Sequence, residues 1–346
     1  MKQSAKSNCL TLFCCQLLFG GCPVWAPGEG KLEQRKRNAA LLHISAHTLR
    51  KTSKKRILDN LDKVFIQRWA WSEICDFSYA SNSDTSGPGI APNSTPFNPD
   101  DVFPGSLIFT TAFSIDHFFK EIHPKIKNPY ILISLYVGPT LATSDYINDP
   151  KIIAWYGNAN AEAVKFKKFR MIPIGVNRSL HIYEQRHEIN NLFKQLRNQP
   201  KKGLLYANFR INAGSTDHRR STYETLKNKS FCVMSGPKNF ENYITETAHF
   251  KFAASPLGDM YDCYRHWEAL LVGTIPIVQA SSLNKIFEGL PVIVVKNYNE
   301  LTENFLNQQY KKLKHQEYTF EKLYMKYWVD IIHKERDRFL AHFRKQ

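Results

Sequence analysis

The segment "FKFAASPLGDMYDCYRHWEALLVGTIPIV", residues Phe250–Val278, is the most regular part of the sequence and sets the class of the fold. Its apolar start predicts a β-strand, the run "DCYRHWEALLVG" predicts a helix, and "TIPIVQA" predicts a second strand. A strand, a helix and a strand in this order form a right-handed unit with two parallel strands.

The predicted helix carries two ionisable residues, Arg265 and Glu268, close to its start. At about 100° per residue, Tyr264, Trp267 and Leu271 share a face that we expect to pack against the core, and Glu268 lies at the edge of that face. Arg265 is three residues before Glu268, so the two side chains are neighbours. An isolated pair of this kind is most often a partly exposed ion pair, but its position directly after a strand favours a ligand site.

Strands and helices alternate on both sides of this segment. Before a linker near Pro200, strands are predicted for the runs "KVFIQRW", "SLIFTT", "YILISLYV" and "IIAWYG". After it, strands are predicted for "LLYANF", "FCVMSG" and "LPVIVV", with helices between them. The pattern predicts an α/β protein with two Rossmann-type parallel sheets that face a cleft. We predict an N-terminal extension (1–56), an acceptor-side half (57–190), a ligand-binding half (200–315) and a C-terminal helix (316–346).

The turn between the strand and the helix has the chemistry of an anion site. A helix start offers free N–H groups and a positive dipole, and an arginine can bind a diphosphate through two parallel hydrogen bonds. Ser255 adds a hydroxyl and Gly258 permits a close turn, while the Glu268 carboxylate suits ribose hydroxyls. The glycine-rich motifs of kinase-type and dinucleotide sites are absent from the sequence. We therefore predict a site for a nucleoside diphosphate.

The motif "SPLGDMYDCYRHWEALLVGTIPIV", followed by "LPVIVVKNYNEL", resembles the donor-binding half of exostosin-like glycosyltransferases. The resemblance runs roughly from Pro129 to Leu301. It implies the two-domain GT-B fold, a nucleotide-sugar donor, and no cofactor or metal ion. By the same resemblance Arg265 contacts phosphate, Glu268 contacts ribose, and "LLYANFRINAGSTDHRR" brings Asn208 and Arg219 or Arg220 near the cleft.

Two departures from related patterns stand in the same motif. Leu257 occupies a position where the exostosin-like pattern often has a basic residue, so one phosphate contact is missing. The α1,3-fucosyltransferases have a similar strand, helix and strand but a Glu-Lys pair where this chain has Glu268 and Ala269. A fucosyltransferase-like enzyme stays an alternative, as does a non-catalytic protein that binds carbohydrate or polyanion on the same fold.

Sugar transfer needs a base that deprotonates the acceptor hydroxyl. Asp116 and His117, directly after the strand "SLIFTT", are the candidates, although an aspartate there also suits a helix cap. Asp145 is a further candidate. Near the adjacent strands, Trp155, Tyr156, Asn158 and Asn160 are candidates for an acceptor site or for ordinary packing. We interpret His266 as a surface or packing residue and Asp262 as a helix cap.

The chain has 346 residues and a net charge of +16, which favours anionic partners. We expect a nucleotide sugar and a glycan or glycoconjugate acceptor; no motif for nucleic acid appears. The basic run from Arg50 to Arg56 is interpreted as a solvated segment or a polyanion site. The seven cysteines lack the paired spacing of a zinc site.

Residues 8–28 carry no charge, and basic residues from Lys31 onward follow them. This pattern predicts a signal-peptide core, a membrane anchor or an unstructured extension. A signal or an anchor would make the protein secretory or membrane-associated, and otherwise it would be cytoplasmic. Three Asn-x-Ser/Thr triplets, at Asn93, Asn177 and Asn228, would be N-glycosylation acceptors only if the protein is secretory.

Overall fold

A computed structural model describes residues 61–67, 70–79, 97–140, 143–158, 162–176, 183–211, 216–258, 261–282 and 284–343. These residues belong to one compact unit, residues 49–346. The predicted N-terminal extension, the run Arg50–Arg56 and most of the Ser/Pro-rich segment before Phe97 lie outside the described residues.

The first half of the chain forms a five-stranded parallel sheet in which each strand lies beside its neighbour in sequence. Its order is β1-β2-β3-β4-β5. The strands are β1 (Phe77–Ser78), β2 (Ser106–Thr111), β3 (Tyr130–Leu135), β4 (Ile152–Gly157) and β5 (Phe169–Met171), and the helices of this half are α1 (Ala70–Ile74), α2 (Ile115–His117), continued by a wider turn over Phe118–Ile122, and α3 (Ser144–Asn148).

Alternating side chains of the first sheet enter two different cores. Ile108 and Leu132 point to the face covered by the crossover helices, where they meet Phe118. Both strands are buried along their whole length, as the apolar runs predict for a parallel sheet. A sheet with sequential strand order has its right-handed crossovers on one face, so another element must cover the second face.

The second face of the first sheet is covered by the C-terminal helix. After α4 (Tyr183–Leu196) the chain builds the second sheet and returns in α9 (Met325–Phe343). Phe109 and Ile133 of the first sheet share a core with Trp328 of α9 and Trp267 of the second half. The two halves are therefore joined by a continuous apolar core.

The second half is also a five-stranded parallel sheet, with the order β10-β9-β8-β6-β7. Its strands are β6 (Gly203–Ala207), β7 (Cys232–Met234), β8 (Phe250–Ala254), β9 (Ile275–Gln279) and β10 (Ile293–Val295), and its helices are α5 (Thr216–Leu226), α6 (Phe240–Ala248), α7 (Tyr264–Leu271) and α8 (Glu303–Leu313). Two parallel sheets flanked by helices confirm the predicted α/β class.

Some predicted elements differ in extent. The run "KVFIQRW" makes two isolated bridges, Phe65 with Tyr324 and Gln67 with Val176, where a strand was expected. The prediction of a single C-terminal helix was wrong at the start of that segment, because a short 3-10 turn (Phe320–Leu323) precedes the helix that begins at Met325. Pro276 is the second residue of β9, and the pairing of β9 with β10 begins at the next residue, Ile277. The proline nitrogen, which has no hydrogen to donate, thus precedes that ladder.

Candidate functional site

The order of the second sheet reverses between β6 and β8. The chain runs from β6 outward to β7 and then returns past β6 to form β8 and β9. In open α/β sheets the gap at such a reversal, outside the carboxyl ends of the strands, is the usual place for a ligand. Asn208 and Phe209 follow β6, and Ser255 follows β8. The motif that opened the sequence analysis is therefore at the expected position.

Two arginine side chains hold the turn that follows β8. The Arg265 guanidinium donates through Nη2 to the carbonyl oxygen of Pro256 at 2.9 Å. Arg219, which is 9% exposed, donates through Nε to the carbonyl oxygen of Leu257 at 2.9 Å. It also donates to the Arg210 carbonyl at 3.1 Å. Two positive charges thus converge on one turn at the start of α7.

Arg265 has one donor that the protein does not use. Its Nε is buried and has no hydrogen-bond partner, while the rest of the side chain is half-buried. The guanidinium carbon lies 5.9 Å from the centroid of the Phe209 ring, which follows β6. A buried guanidinium group that keeps an unused N–H is costly on its own, and an anionic ligand would satisfy it.

Glu268 lies deeper than the sequence suggested. It is 3% exposed, and its Oε2 accepts a hydrogen bond from the Tyr243 hydroxyl of α6 at 3.0 Å. Burial raises the pKa of Tyr243, and the Glu268 charge raises it further, while Arg265 acts in the opposite direction. The contact between Glu268 and ribose stays a prediction.

Ser255 has a structural partner. Its side-chain oxygen lies 2.8 Å from Nδ1 of His266, and His266 Nε2 lies 3.1 Å from the Tyr261 carbonyl. The carbonyl can only accept, so Nε2 carries the hydrogen and Ser255 donates to Nδ1. Burial lowers the pKa of His266 to about 3, so the imidazole is neutral. The sequence left open whether His266 is a surface residue or a packing residue. It is a packing residue, because it is fully buried.

Asp262 joins the two halves of the chain. Its Oδ2 accepts from the backbone N–H of Ile174 at 2.6 Å, and its Oδ1 accepts from Nε1 of Trp267 at 2.7 Å. The predicted capping role is wrong, because Cys263 occupies the N-cap position and Asp262 is turned to these two donors. Burial raises the pKa of Asp262 to about 7, although both hydrogen bonds act in the opposite direction.

The other predicted binding residues lie on or near the same side of the sheet. Asn208 donates through Nδ2 to the Gly236 carbonyl at 2.9 Å and to the Tyr206 hydroxyl at 3.2 Å, so it ties the ends of β6 and β7 together. Gly258 is buried at the end of the turn, whereas Arg220 is exposed on α5. A cavity of about 520 Å³ opens beside them, at the ends of β6 and β7. It is lined by Phe209, Arg210, Ile211, Tyr223, Met234, Ser235, Gly236 and Pro237.

The predicted base candidates lie on the first half. Asp116 and His117 are exposed on α2, after the carboxyl end of β2. His117 Nδ1 lies 2.6 Å from the Tyr79 hydroxyl, and the two rings stack at 5.9 Å. Ser114 flanks the helix without a side-chain capping bond. The role of Asp116 or His117 as the base stays a prediction.

Two of the acceptor-site candidates belong to the core. Trp155 is fully buried and donates through Nε1 to Ser134 Oγ at 2.7 Å, and the buried Tyr156 donates its hydroxyl to Glu335 of α9. Neither ring is presented for stacking. Asn158, after β4, is also buried, and Asn160 lies outside the described residues.

Sequence reasoning missed four aromatic residues around the turn. Phe209 faces Arg265, Tyr243 binds Glu268, and the hydroxyl groups of Tyr136 and Tyr264 bond to each other across the two halves. A pattern search gives no signal for Tyr136, because its role depends on a contact 128 residues away. Tyr264 was assigned to the core-facing arc of the helix and is half-buried.

Metal ligands and membrane spans were sought within the same described ranges. There, no group of three or more His, Cys, Asp or Glu side chains could hold a metal ion. Nor does any described helix combine the length and hydropathy that a membrane-spanning segment needs.

Comparison with known proteins finds similarity in structure but not in sequence. No protein-family model and no curated protein sequence matches the chain. A solved α,α-trehalose-phosphate synthase (UDP-forming) from Burkholderia vietnamiensis is 9% identical, over 72% of this chain and 76% of that one, with a TM-score of 0.35. A glycosyltransferase from Rickettsia africae is 9% identical, over 66% and 76%, with a TM-score of 0.36. A trehalose 6-phosphate synthase from Burkholderia multivorans is 10% identical, over 70% and 72%, with a TM-score of 0.33.

Proposed function

We propose that the protein is a glycosyltransferase that binds a nucleotide-diphosphate sugar on its second half and transfers the sugar to a hydroxyl acceptor. The observation that carries this proposal is Arg265. It is fixed to the Pro256 carbonyl, keeps a buried Nε without a partner, and lies where the strand order reverses. The resemblance of its motif to exostosin-like enzymes agrees with that position.

The chemistry of sugar transfer explains why such a group is needed. The acceptor oxygen bonds to the anomeric carbon, the bond from that carbon to the diphosphate oxygen breaks, and the acceptor proton passes to a base. Negative charge grows on the departing diphosphate. The Arg265 guanidinium, with the N-terminus of the eight-residue helix α7 behind it, is placed to stabilise that charge.

Arg219 acts mainly by holding the turn. Its Nε and Nη1 are bonded to the carbonyl oxygens of Leu257 and Arg210. The turn therefore has a rigid backbone, and this favours a ligand that is held in one geometry.

The finer parts of the proposal go further. We propose an exostosin-like, inverting reaction without a metal ion, Glu268 as the ribose contact, and Asp116 or His117 as the base. Glu268 would need to share its carboxylate between Tyr243 and the ribose. A carboxylate can accept several hydrogen bonds through its two oxygens.

The test is turnover with a panel of UDP-, GDP-, ADP-, CDP- and dTDP-sugars, measured as donor hydrolysis and as transfer to glycan acceptors. Arg265→Ala and Glu268→Ala are expected to abolish product formation while the circular dichroism spectrum stays near that of wild type. Glu268→Ala should also lower the melting temperature, because the Tyr243 hydroxyl loses its acceptor. Arg338→Ala on α9 is the matched control, because it removes an exposed arginine far along the chain from the turn.

Three results have different meanings. Turnover that depends on Arg265 supports the enzyme. Nucleotide binding that depends on Arg265, without turnover on any donor, supports the non-catalytic alternative. Turnover that survives both substitutions contradicts the proposed site.

A further inference from the structure

The cavity at the carboxyl ends of β6 and β7 lies against the turn that Arg265 holds. Phe209 lines the cavity, and the guanidinium carbon of Arg265 lies 5.9 Å from the centroid of its ring. The next residue of the cavity wall, Arg210, accepts a hydrogen bond from Arg219 through its carbonyl oxygen at 3.1 Å. Arg219 also donates to the carbonyl oxygen of Leu257 in the turn. The cavity and the turn therefore share Phe209 as a wall and Arg219 as a support.

A second set of contacts leads from Glu268 to the same cavity. Glu268 accepts from the Tyr243 hydroxyl at 3.0 Å. Burial raises the pKa of Tyr243, and the neighbouring Glu268 and Tyr206 raise it further. The Tyr206 hydroxyl accepts from Asn208 Nδ2 at 3.2 Å, and the same nitrogen donates to the carbonyl oxygen of Gly236 in the cavity wall at 2.9 Å. The proposed ribose contact is thus linked to the cavity wall through neighbouring side chains.

The walls of the cavity suit a flat ring of low polarity. Most of the lining side chains are apolar or aromatic, namely Phe209, Ile211, Tyr223, Met234 and Pro237. Apart from the Tyr223 hydroxyl, the polar side chains are those of Arg210 and Ser235, and Ser235 Oγ donates to Glu246 at 3.5 Å. A sugar ring carries several hydroxyl groups that would each need a partner in the cavity. A nucleobase needs fewer polar partners, and an aromatic side chain can stack on any base.

Gly236 keeps one wall of the cavity open. A Cβ atom at this position would have no heavy atom within 4 Å, and Gly236 is not among the described glycines with a positive φ. Neither the backbone nor the packing of the protein therefore requires glycine here, whereas a ligand ring close to this backbone would. The cavity has a volume of about 520 Å³, which lies within the range of about 300–1,000 Å³ that is usual for small-molecule sites.

We propose that this cavity binds the base of the nucleoside diphosphate whose phosphates bind at Arg265, with Phe209 stacked on the base and Gly236 leaving room for it. The inference rests on the proposed function and assigns a part of the ligand that the strand-to-helix motif does not cover. Phosphate and ribose, which are assigned to Arg265 and Glu268, are common to UDP, GDP, ADP and CDP. The cavity is therefore the part of the site that distinguishes one nucleotide from another.

The base pocket is tested by isothermal titration calorimetry on the full chain with three kinds of probe. The first is a panel of UDP, GDP, ADP, CDP and dTDP, the second is the nucleoside of each diphosphate that binds, and the third is inorganic pyrophosphate. Gly236→Leu places a side chain in the cavity and should weaken the diphosphate and the nucleoside by about tenfold or more, the effect of losing one stacked base. Pyrophosphate, which has no base, should change less than about twofold.

Further variants separate the space in the cavity from its stacking surface. Phe209→Ala should weaken the diphosphate about tenfold, while Phe209→Tyr keeps the ring and should bind within about twofold of wild type. Gly236→Ala adds a smaller group and should weaken the diphosphate less than Gly236→Leu does. Val294→Leu is the matched control for added apolar bulk, because Val294 is exposed on β10, and β10 and β7 are the opposite edges of the second sheet. It should bind every probe like wild type.

The outcomes separate this inference from the proposed function. If wild type binds a diphosphate, Arg265→Ala loses it, and Gly236→Leu and Phe209→Ala both bind it like wild type, the base pocket is wrong and the proposed function stands. An equal loss of pyrophosphate and diphosphate in Gly236→Leu also overturns the base pocket, because it would show a distorted phosphate site. If wild type binds none of the five diphosphates, or binds them independently of Arg265, the proposed function fails and the base pocket fails with it.

Discussion

Asp262 makes the junction between the two halves sensitive to pH, and the variant Asp262→Asn measures this. The Asp262 side chain is 4% exposed, and its two oxygens accept from Ile174 N–H and from Trp267 Nε1. An asparagine keeps one acceptor oxygen but turns an NH₂ group toward the other N–H. We expect the variant to lose about 1–3 kcal/mol of unfolding free energy near pH 5, the cost of a buried donor without an acceptor.

The pH dependence follows from the pKa of Asp262. Burial raises this pKa from 3.8 to about 7 in the folded protein. The folded state therefore holds the proton more tightly than the unfolded state between about pH 4 and pH 7, and the stability from this group falls as pH rises through that window. Between pH 5 and pH 8 the wild type should lose about 2–3 kcal/mol that Asp262→Asn does not lose, at about 1.4 kcal/mol per pH unit.

Urea unfolding of both proteins at several pH values between 5 and 8 gives this difference directly, because all other titrating groups are common to the two. The stability of wild type relative to the variant should fall by about 2–3 kcal/mol as pH rises, so the advantage of wild type at pH 5 should vanish or reverse by pH 8. Parallel curves would refute the reasoning. They would show that the two hydrogen bonds offset the burial and keep Asp262 ionised throughout.

Three further predictions concern the turns around the site. Gly157→Ala should lower the unfolding free energy by about 1–3 kcal/mol in a thermal unfolding assay, because the new methyl group would lie 2.9 Å from Ser134 Oγ and from the Val137 carbonyl oxygen. Gly236→Ala is the control and should change the unfolding free energy little, because no atom lies within 4 Å of the added methyl group. Arg265→Lys should bind a nucleoside diphosphate at least tenfold more weakly than wild type in calorimetry, since an ammonium group cannot keep the Pro256 bond and donate in parallel to a phosphate; wild-type affinity would contradict this. Glu268→Gln should reduce the preference for a ribonucleotide over its 2′,3′-dideoxy form by several-fold, and an unchanged preference would remove Glu268 from the ribose site.

The sequence was sufficient for the elements that depend on local pattern. The apolar runs of β2, β3, β4 and β8 and the face of α7 with Trp267 and Leu271 match their predictions, because a parallel strand buried on both faces leaves a continuous apolar run. Segments whose backbone partners are distant in sequence were less predictable. "KVFIQRW" has the composition of a strand, but its backbone bonds to Leu323, Met325 and Val176 of distant segments, so no regular ladder forms.

The place of the turn in the fold was predicted, but most contacts of its side chains were not. The strand-to-helix turn indicated Arg265 correctly as a residue at the carboxyl end of the sheet, because that location follows from topology. The partners of Asp262 and Ser255 did not follow, since Ile174 is 88 residues from Asp262 and the His266 contact needs the folded turn. Tyr136, which directly follows β3, has a φ of 64°, and no sequence pattern indicates this left-handed conformation.

The account depends on a diphosphate bound at the turn between β8 and α7. A crystal structure of the protein with the nucleoside diphosphate that binds most tightly tests this directly. The account predicts phosphate oxygens within hydrogen-bond distance of the Arg265 guanidinium and beside the Ser255–Gly258 turn. A diphosphate bound elsewhere, with Arg265 still bonded only to Pro256, would contradict it.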